Sequence, residues 1–232
     1  MPAIRELDNG HYEYGGVVFK APSRQAAEGI SRRLQVDQLI EAKQRETGAV
    51  TPQQLKRVKN LIFKEESILR QPVKVMGNPT IGIGRDMKTK GFTPEEQEML
   101  RLNKGRNFKQ EPLTDAEADA LFSRDVQDAV NQARELVGVQ NYESLDEPRQ
   151  AAFTSLVFQM GKGGVQGFPN FLEAFRKGDY ETASKELLYK NPSHPNPQPS
   201  ALATQTPNRA RRTAAAIQTG QWPESLPSGG LE

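Results

Sequence analysis

Leu61-Ile62-Phe63-Lys64-Glu65-Glu66-Ser67 is followed, across a stretch broken by Pro72 and Gly77, by Thr80-Ile81-Gly82-Ile83-Gly84. The first string completes an apolar helix face begun at Val58 and then turns abruptly acidic. The second alternates with period two. Pro72, Gly77, Pro79, Gly82, Gly84 and Gly91 would break any helix over residues 67–92. The expectation is a helix that ends in paired carboxylates and runs into a small hairpin sheet.

Upstream, Thr51-Pro52-Gln53-Gln54 reads as the start of that helix. Thr caps, Pro suits the first helical position, and Gln54 can reach back as in a capping box. Thr51 is therefore the expected domain boundary. Before it, residues 11–20 predict a hairpin about Gly15-Gly16. Residues 23–47 carry Ala26, Ala27, Ile30, Leu34 and Ile40 at helical spacing.

Downstream, Thr93-Pro94-Glu95-Glu96 and Thr114-Asp115-Ala116-Glu117 are two further capping boxes. The second opens a long helix to about Val137, with Leu121, Phe122, Val126, Ala129, Val130 and Ala133 on one side. Ser144-Leu145-Asp146-Glu147 opens the next. Its near-continuous apolar run (Ala151, Ala152, Leu156, Val157, Phe158) predicts a buried central helix, ended by the glycines from Gly161 to Gly167. Short helices are expected at 169–176 and 179–189, and a last one from Thr206-Pro207 to Gly220. The proline-rich residues 191–200 predict an extended, exposed loop. No internal repeat is visible.

Composition narrows the chemistry. The 232 residues contain no Cys, which excludes disulfides, thiolate nucleophiles, Cys zinc sites and iron–sulfur clusters. The two histidines, His11 and His194, are far apart, leaving little for a His-based metal site or a Ser-His-Asp triad. Catalysis must then rest on carboxylates, hydroxyls, amides and Arg or Lys. No apolar run approaches the ~20 residues of a membrane helix. The formal net charge is +2, but residues 93–147 carry 13 acidic against 6 basic side chains and both flanks are net basic. A basic frame suits an anionic polymer. A nucleic-acid reader would show a denser basic stripe than the short Arg209–Arg212 stretch, so no nucleic-acid partner is expected.

Three blocks in order resemble the T-even phage lysozymes, glycoside hydrolase family 24. One is Glu66 followed by Thr80-Ile81-Gly82-Ile83-Gly84. The next is Leu156-Val157-Phe158-Gln159-Met160-Gly161 with Gly164, Gly167 and Phe168. The third is Gln205-Thr206-Pro207-Asn208-Arg209-Ala210-Arg211-Arg212 and then Thr219-Gly220-Gln221-Trp222. The likeness runs from Lys56 to Trp222. The N-terminal 50 residues and the proline-rich loop have no counterpart in it.

The resemblance implies cleavage of the β-1,4 bond between the N-acetylmuramic acid and N-acetylglucosamine units of peptidoglycan. Such chemistry wants one protonated and one ionised carboxyl. On the likeness the acid is Glu66, with Glu65 the alternative when residues are counted back from Thr80 without a gap. Thr80 would help place the water, and Arg209 matches the arginine that pairs with the acid and orients it. The family's aspartate is missing: its position falls on Lys74 or Val75, and no acid lies in Pro72–Gly77. A lysine there would oppose an oxocarbenium-like transition state. Three outcomes stay open. Another acid fills the role, Asp86 being nearest in sequence; or Glu works alone with a sugar hydroxyl as nucleophile, as in lytic transglycosylases of lysozyme-like fold; or the domain is weak or inactive. Phe158 and Gln159 fall at cleft positions, and Asp86 falls where the family makes an apolar contact. Phe171 and Lys185 stand at substrate-contact positions where the family uses small or amide side chains, which implies an altered groove floor. Read without the likeness, Glu65 and Glu66 are acids at a helix end, Thr80 is a strand residue and Phe158 is core. No metal or cofactor is implied.

The expected fold is α+β, predominantly α, with two lobes, a small antiparallel sheet and a long helix between the lobes. Residues 1–50 are an extension suited to virion or partner attachment, 51–224 the lysozyme-like domain and 225–232 a tail. The expected function is a bacteriophage glycosidase acting on bacterial peptidoglycan. The alternative is a virion structural or assembly protein with a degenerate domain. Glu6, Asp8 and the lack of an apolar core stretch argue against a signal peptide. The protein is thus expected to be made in the host cytoplasm and to reach the wall within the virion or after holin-dependent release.

Overall fold

A computed structural model describes residues 4–14, 17–31, 52–63, 66–75 and 77–223. By its contacts the chain divides into two units, residues 1–51 and 52–232.

In the first unit, β1 (Arg5–Glu6), β2 (His11–Tyr14) and β3 (Val17–Lys20) form an antiparallel sheet in that order. The pairing sets Tyr12 opposite Phe19, whose rings stack at 6.3 Å. Helix α1, described over 24–31, adds Ala27, and with Ile4, Phe19, Ala26 and Ile30 the group closes a small core. The predicted strands are present. The added strand Arg5–Glu6 is two polar residues long and leaves no periodic signal. The Gly15-Gly16 turn, the predicted helix beyond residue 31, the Thr51 cap and the tail 225–232 lie outside the described residues.

The second unit opens with α2 (Pro52–Phe63), which buries Val58 and Ile62. It leads to a three-stranded antiparallel sheet: β4 (Ile68–Val75), β5 (Asn78–Ile83) and β6 (Arg85–Asp86). Pro72 falls where the β4 register shifts between Leu69 and Val73. It sits on an edge strand, where its missing N–H costs no ladder bond. Ile81 is fully buried against Leu100, Phe108, Leu113 and Leu121. Paired residues share a face, and so do residues two apart. The register Val75↔Asn78, Val73↔Thr80 and Thr80↔Asp86 therefore puts all five side chains on the face opposite Ile81.

Helices α3 (Pro94–Met99) and α4 (Asp115–Val137) begin with the two predicted capping boxes, at Thr93/Glu96 and Thr114/Glu117. The 23-residue α4 links the lobes. Leu121, near its start, joins the sheet-side core, while its later part packs against the helices. These are α5 (Val139–Glu143), α6 (Glu147–Gln166), α7 (Pro169–Arg176), α8 (Tyr180–Leu188), α9 (Ala201–Gln205) and α10 (Pro207–Thr219). Phe153 from α6 stacks on Phe175 from α7 at 4.6 Å, with Phe171 alongside. The result is the expected α+β fold, predominantly helical, with a small antiparallel sheet.

One local expectation is refined and one corrected. Within Ser144-Leu145-Asp146-Glu147, which opens α6 as expected, Asp146 is the cap: its carboxylate accepts from the Arg149 N–H at 2.9 Å and Pro148 fills the first turn. Ser144 instead donates to the Asn141 carbonyl at the end of α5. The proline-rich loop is exposed but not extended. A bridge between Tyr189 and Pro199, an N–H···O bond from Lys190 to Gln198 and a turn from Asn191 to His194 fold it back on itself.

Candidate active site

Glu66 lies just past the last turn of α2, where its N–H donates to the Phe63 carbonyl at 3.2 Å. The helix thus delivers its side chain to the lip of the sheet. Its carboxylate accepts from Arg209 Nη1 at 2.5 Å, and the two side chains are only 15% and 13% exposed. Arg209 comes from the first turns of α10 and its Nη2 also donates to the Ser155 hydroxyl of α6 at 3.0 Å. Three elements distant in sequence thereby converge on one carboxyl. The third wall is Gly84 at a φ of +73°: a Cβ there would stand 3.1 Å from Glu66 Oε2 and 3.3 Å from the Phe158 ring. Glycine is what allows acid, turn and aromatic ring to approach so closely.

Beside this point opens a cleft of about 420 Å³, lined by Gly84, Asp86, Asp125, Phe158 and Gln159 among others. Phe158 presents its ring to the cleft and packs edge-on to Phe122 at 5.6 Å. Gln159 Nε2 donates to the Thr206 hydroxyl at 2.9 Å, tying the cleft wall to the start of α10. Thr80 is 6% exposed on the face of the sheet opposite Ile81, its hydroxyl donating to the Asn78 carbonyl at 3.3 Å. Asp86 stands opposite Thr80.

Under the cleft lies a charge cluster that the sequence reading missed. Arg85, 2% exposed, donates to both Glu96 oxygens and to Asp125 at 3.1 Å. Lys90 joins Asp125 from the rim at 2.6 Å. Burial pushes the Asp125 carboxyl up, with Lys90 and Arg85 opposing it. The pairs tie β6 and α3 to α4, so the wall carrying Gly84 and Asp86 is fastened to the inter-lobe helix. A charged residue in a glycine-flanked hairpin was the available hint. Ser155 was also missed, and its only signal was a hydroxyl inside the apolar run of α6.

Of the expected substrate contacts, Phe171 does not hold, and Lys185 stands away from this cleft. Phe171 is fully buried in the cluster with Phe153 and Phe175 and offers no surface to a ligand. Lys185 projects from α8, 55% exposed and paired with Glu181 one turn away at 2.7 Å, and is not among the residues lining the cleft. Of the two positions at which the likeness sets the family's aspartate, Val75 stands on the Thr80 face and Lys74 on the other. Glu65 lies outside the described residues.

A helical body, a small sheet and an arginine-held carboxylate at a cleft between them define a lysozyme-like domain. The sequence profile of the phage lysozymes matches residues 64–206, and the chain belongs to that family. It is 31% identical over 153 residues to probable T4-type lysozyme 2 of Dictyostelium discoideum, covering 62% of this chain and 82% of that protein. A second Dictyostelium protein, probable T4-type lysozyme 1, is 32% identical over 150 residues with the same coverage. The pre-baseplate central spike protein Gp5 of Enterobacteria phage T4 is 32% identical over 165 residues. That match takes in 67% of this chain and 26% of the spike protein. Among the described residues no helix is long and apolar enough to cross a membrane, and no group of three or more acidic or histidine side chains could hold a metal ion.

Proposed function

We propose that this chain is a bacteriophage glycosidase that cleaves the β-1,4 bond between N-acetylmuramic acid and N-acetylglucosamine in peptidoglycan, with Glu66 as general acid. The observation that carries the reading is the placement of the Glu66 carboxyl. It is held by Arg209, which Ser155 backs, and it lies against Gly84, as does the Phe158 ring, at the cleft mouth. A carboxyl fixed in this way can reach a glycosidic oxygen lying along the cleft without reorganising. Phe158 supplies an apolar face for a sugar ring and Gln159 an amide. Purified peptidoglycan incubated with the protein should release muropeptides with free reducing ends. Glu66→Gln should release none. The reading fails if both proteins, or neither, cleave the wall.

A second reading concerns where the enzyme acts. The likeness to a phage spike protein and the separate unit of residues 1–51 favour a virion-borne protein, attached to other virion proteins through that N-terminal part. On this reading the chain reaches the wall with the particle rather than through a holin. Its test is association of the full chain, and of a chain lacking residues 1–50, with purified particles. Equal association of the two overturns it.

A further inference from the structure

Neither Lys74 nor Val75, the two positions at which the likeness sets the family's aspartate, is acidic, yet the Thr80 face of the sheet does not lack a carboxylate. Asp86 is the cross-strand partner of Thr80. Directly opposed residues of an antiparallel pair hold their Cβ atoms about 4.5–5.5 Å apart on one side of the sheet. Asp86 also lines the same cleft as Phe158 and Gln159. It lies two residues from Gly84, the turn residue against which the Glu66 carboxyl rests.

We infer that Asp86 is the second carboxylate of this site, a fixed negative charge that steadies the oxocarbenium-like sugar while water attacks. The inference rests on the glycosidase reading above. In the step it describes, Glu66 gives its proton to the glycosidic oxygen as the bond from that oxygen to the anomeric carbon breaks. Water adds to the anomeric carbon, and the proton it sheds leaves through solvent in the open cleft. Glu66 is then reprotonated from solvent, so one water is consumed for each bond cut.

The surroundings of Asp86 suit a charge more than a base. Its Oδ1 accepts from the N–H groups of Lys88 at 2.8 Å and Thr89 at 3.2 Å, and Asn78 Nδ2 donates to Oδ2 at 2.7 Å. Desolvation in the cleft wall raises its pKa, but the bonds from Lys88, Thr89 and Asn78 more than offset that and hold the carboxyl below its usual range. It therefore stays ionised above the ordinary carboxylate range. The charge is also aimed: the two backbone N–H groups and Asn78 fix the carboxylate, so no reorganisation is needed as positive charge develops.

The same hydrogen bonds raise the plainer role of a turn cap, and the two roles predict opposite orders of variants. Asn at this position keeps an oxygen for the Lys88 and Thr89 N–H groups and removes the charge, the Asn78 amide turning over so that its oxygen accepts from the new NH2 group. Glu keeps the charge and disrupts the turn. Steady-state kinetics on purified peptidoglycan, with thermal unfolding of each variant, separate them. Asp86→Asn is expected to lower kcat by ~100-fold or more with KM and Tm little changed, and Asp86→Glu to be the more active of the two. If Asp86→Asn keeps more than a tenth of kcat, or Asp86→Glu falls below it, Asp86 is a turn cap and the inference is overturned while the glycosidase stands. If the wild type leaves 1,6-anhydro ends, a sugar hydroxyl is the nucleophile. The water-directed role of Asp86 then falls but cleavage stands. If the wild type and Glu66→Gln alike release nothing, the glycosidase reading fails and takes this inference with it.

Discussion

Arg209 reaches Glu66 across 143 positions of sequence and divides its guanidinium between that carboxylate and the Ser155 hydroxyl. The fork geometry allows one side chain to serve both. A lysine has a single point of charge and cannot. Arg209→Lys should therefore lower kcat by about tenfold or more while the fold persists, and Ser155→Ala by less. Arg209→Ala, which leaves Glu66 without its charged partner, should also cost about 1.5–3 kcal/mol in urea unfolding. Wild-type kcat in Arg209→Lys would refute the positioning role.

Gly84→Ala tests the close approach at the cleft mouth. The left-handed backbone alone costs roughly 1–2 kcal/mol for a residue with a Cβ. The added methyl would also push on Glu66 Oε2 and on the Phe158 ring. Activity should fall further than the loss of folded protein explains, measured at a temperature where the variant is fully folded by circular dichroism.

Acid stability should depend on a pair remote from the cleft. Hydrogen bonding to Arg106 holds the Glu117 carboxyl down to about 2 from 4.5. Arg106 is correspondingly raised, and its side chain is 3% exposed. A carboxyl with a lowered folded pKa stabilises fully above its unfolded value and loses that contribution as pH falls through the folded one. The window is pH 4.5 down to about 2, and the contribution is on the order of 3 kcal/mol. Glu117→Gln should lower Tm at neutral pH and flatten the fall of Tm across that window.

Phe171→Leu tests the corrected assignment on α7. A smaller side chain in the Phe153–Phe171–Phe175 cluster should cost about 1–2 kcal/mol in unfolding free energy. KM and kcat on peptidoglycan should be unchanged. A rise in KM without loss of stability would return Phe171 to the cleft.

The elements most legible in the sequence are those specified within a few residues. The capping boxes at Thr93 and Thr114 act between positions three apart, and both appear with their reciprocal bonds. Thr80-Ile81-Gly82-Ile83-Gly84 reads as a strand and turn because period two and the glycines are local. Ser144 and Asp146 compete for one helix start, and Pro148 decides for Asp146 by fixing the first turn. The site is less legible because it is made of long-range pairings. Thr80 meets Asp86 through a strand register, and a register shift in β4 hides which of Lys74 and Val75 shares their face. Glu66 with Arg209 was found through the family likeness, since spacing cannot pair residues that far apart. Phe171 and Lys185 were placed by position in a family pattern, which carries no information on burial.

The proline-rich excursion between α8 and α9 has its two ends joined: Tyr189 bridges Pro199, and Ser200 donates to the Leu188 carbonyl at 2.8 Å. Whatever hangs beyond that neck adds bulk without altering how the flanking helices meet. Doubling the length of such a closed loop costs only about 0.6 kcal/mol of closure entropy. Residues 191–198 thus form a port in the scaffold, a place where a tag, a fluorophore-bearing peptide or a whole binding module can be spliced in while α8 and α10 keep their packing.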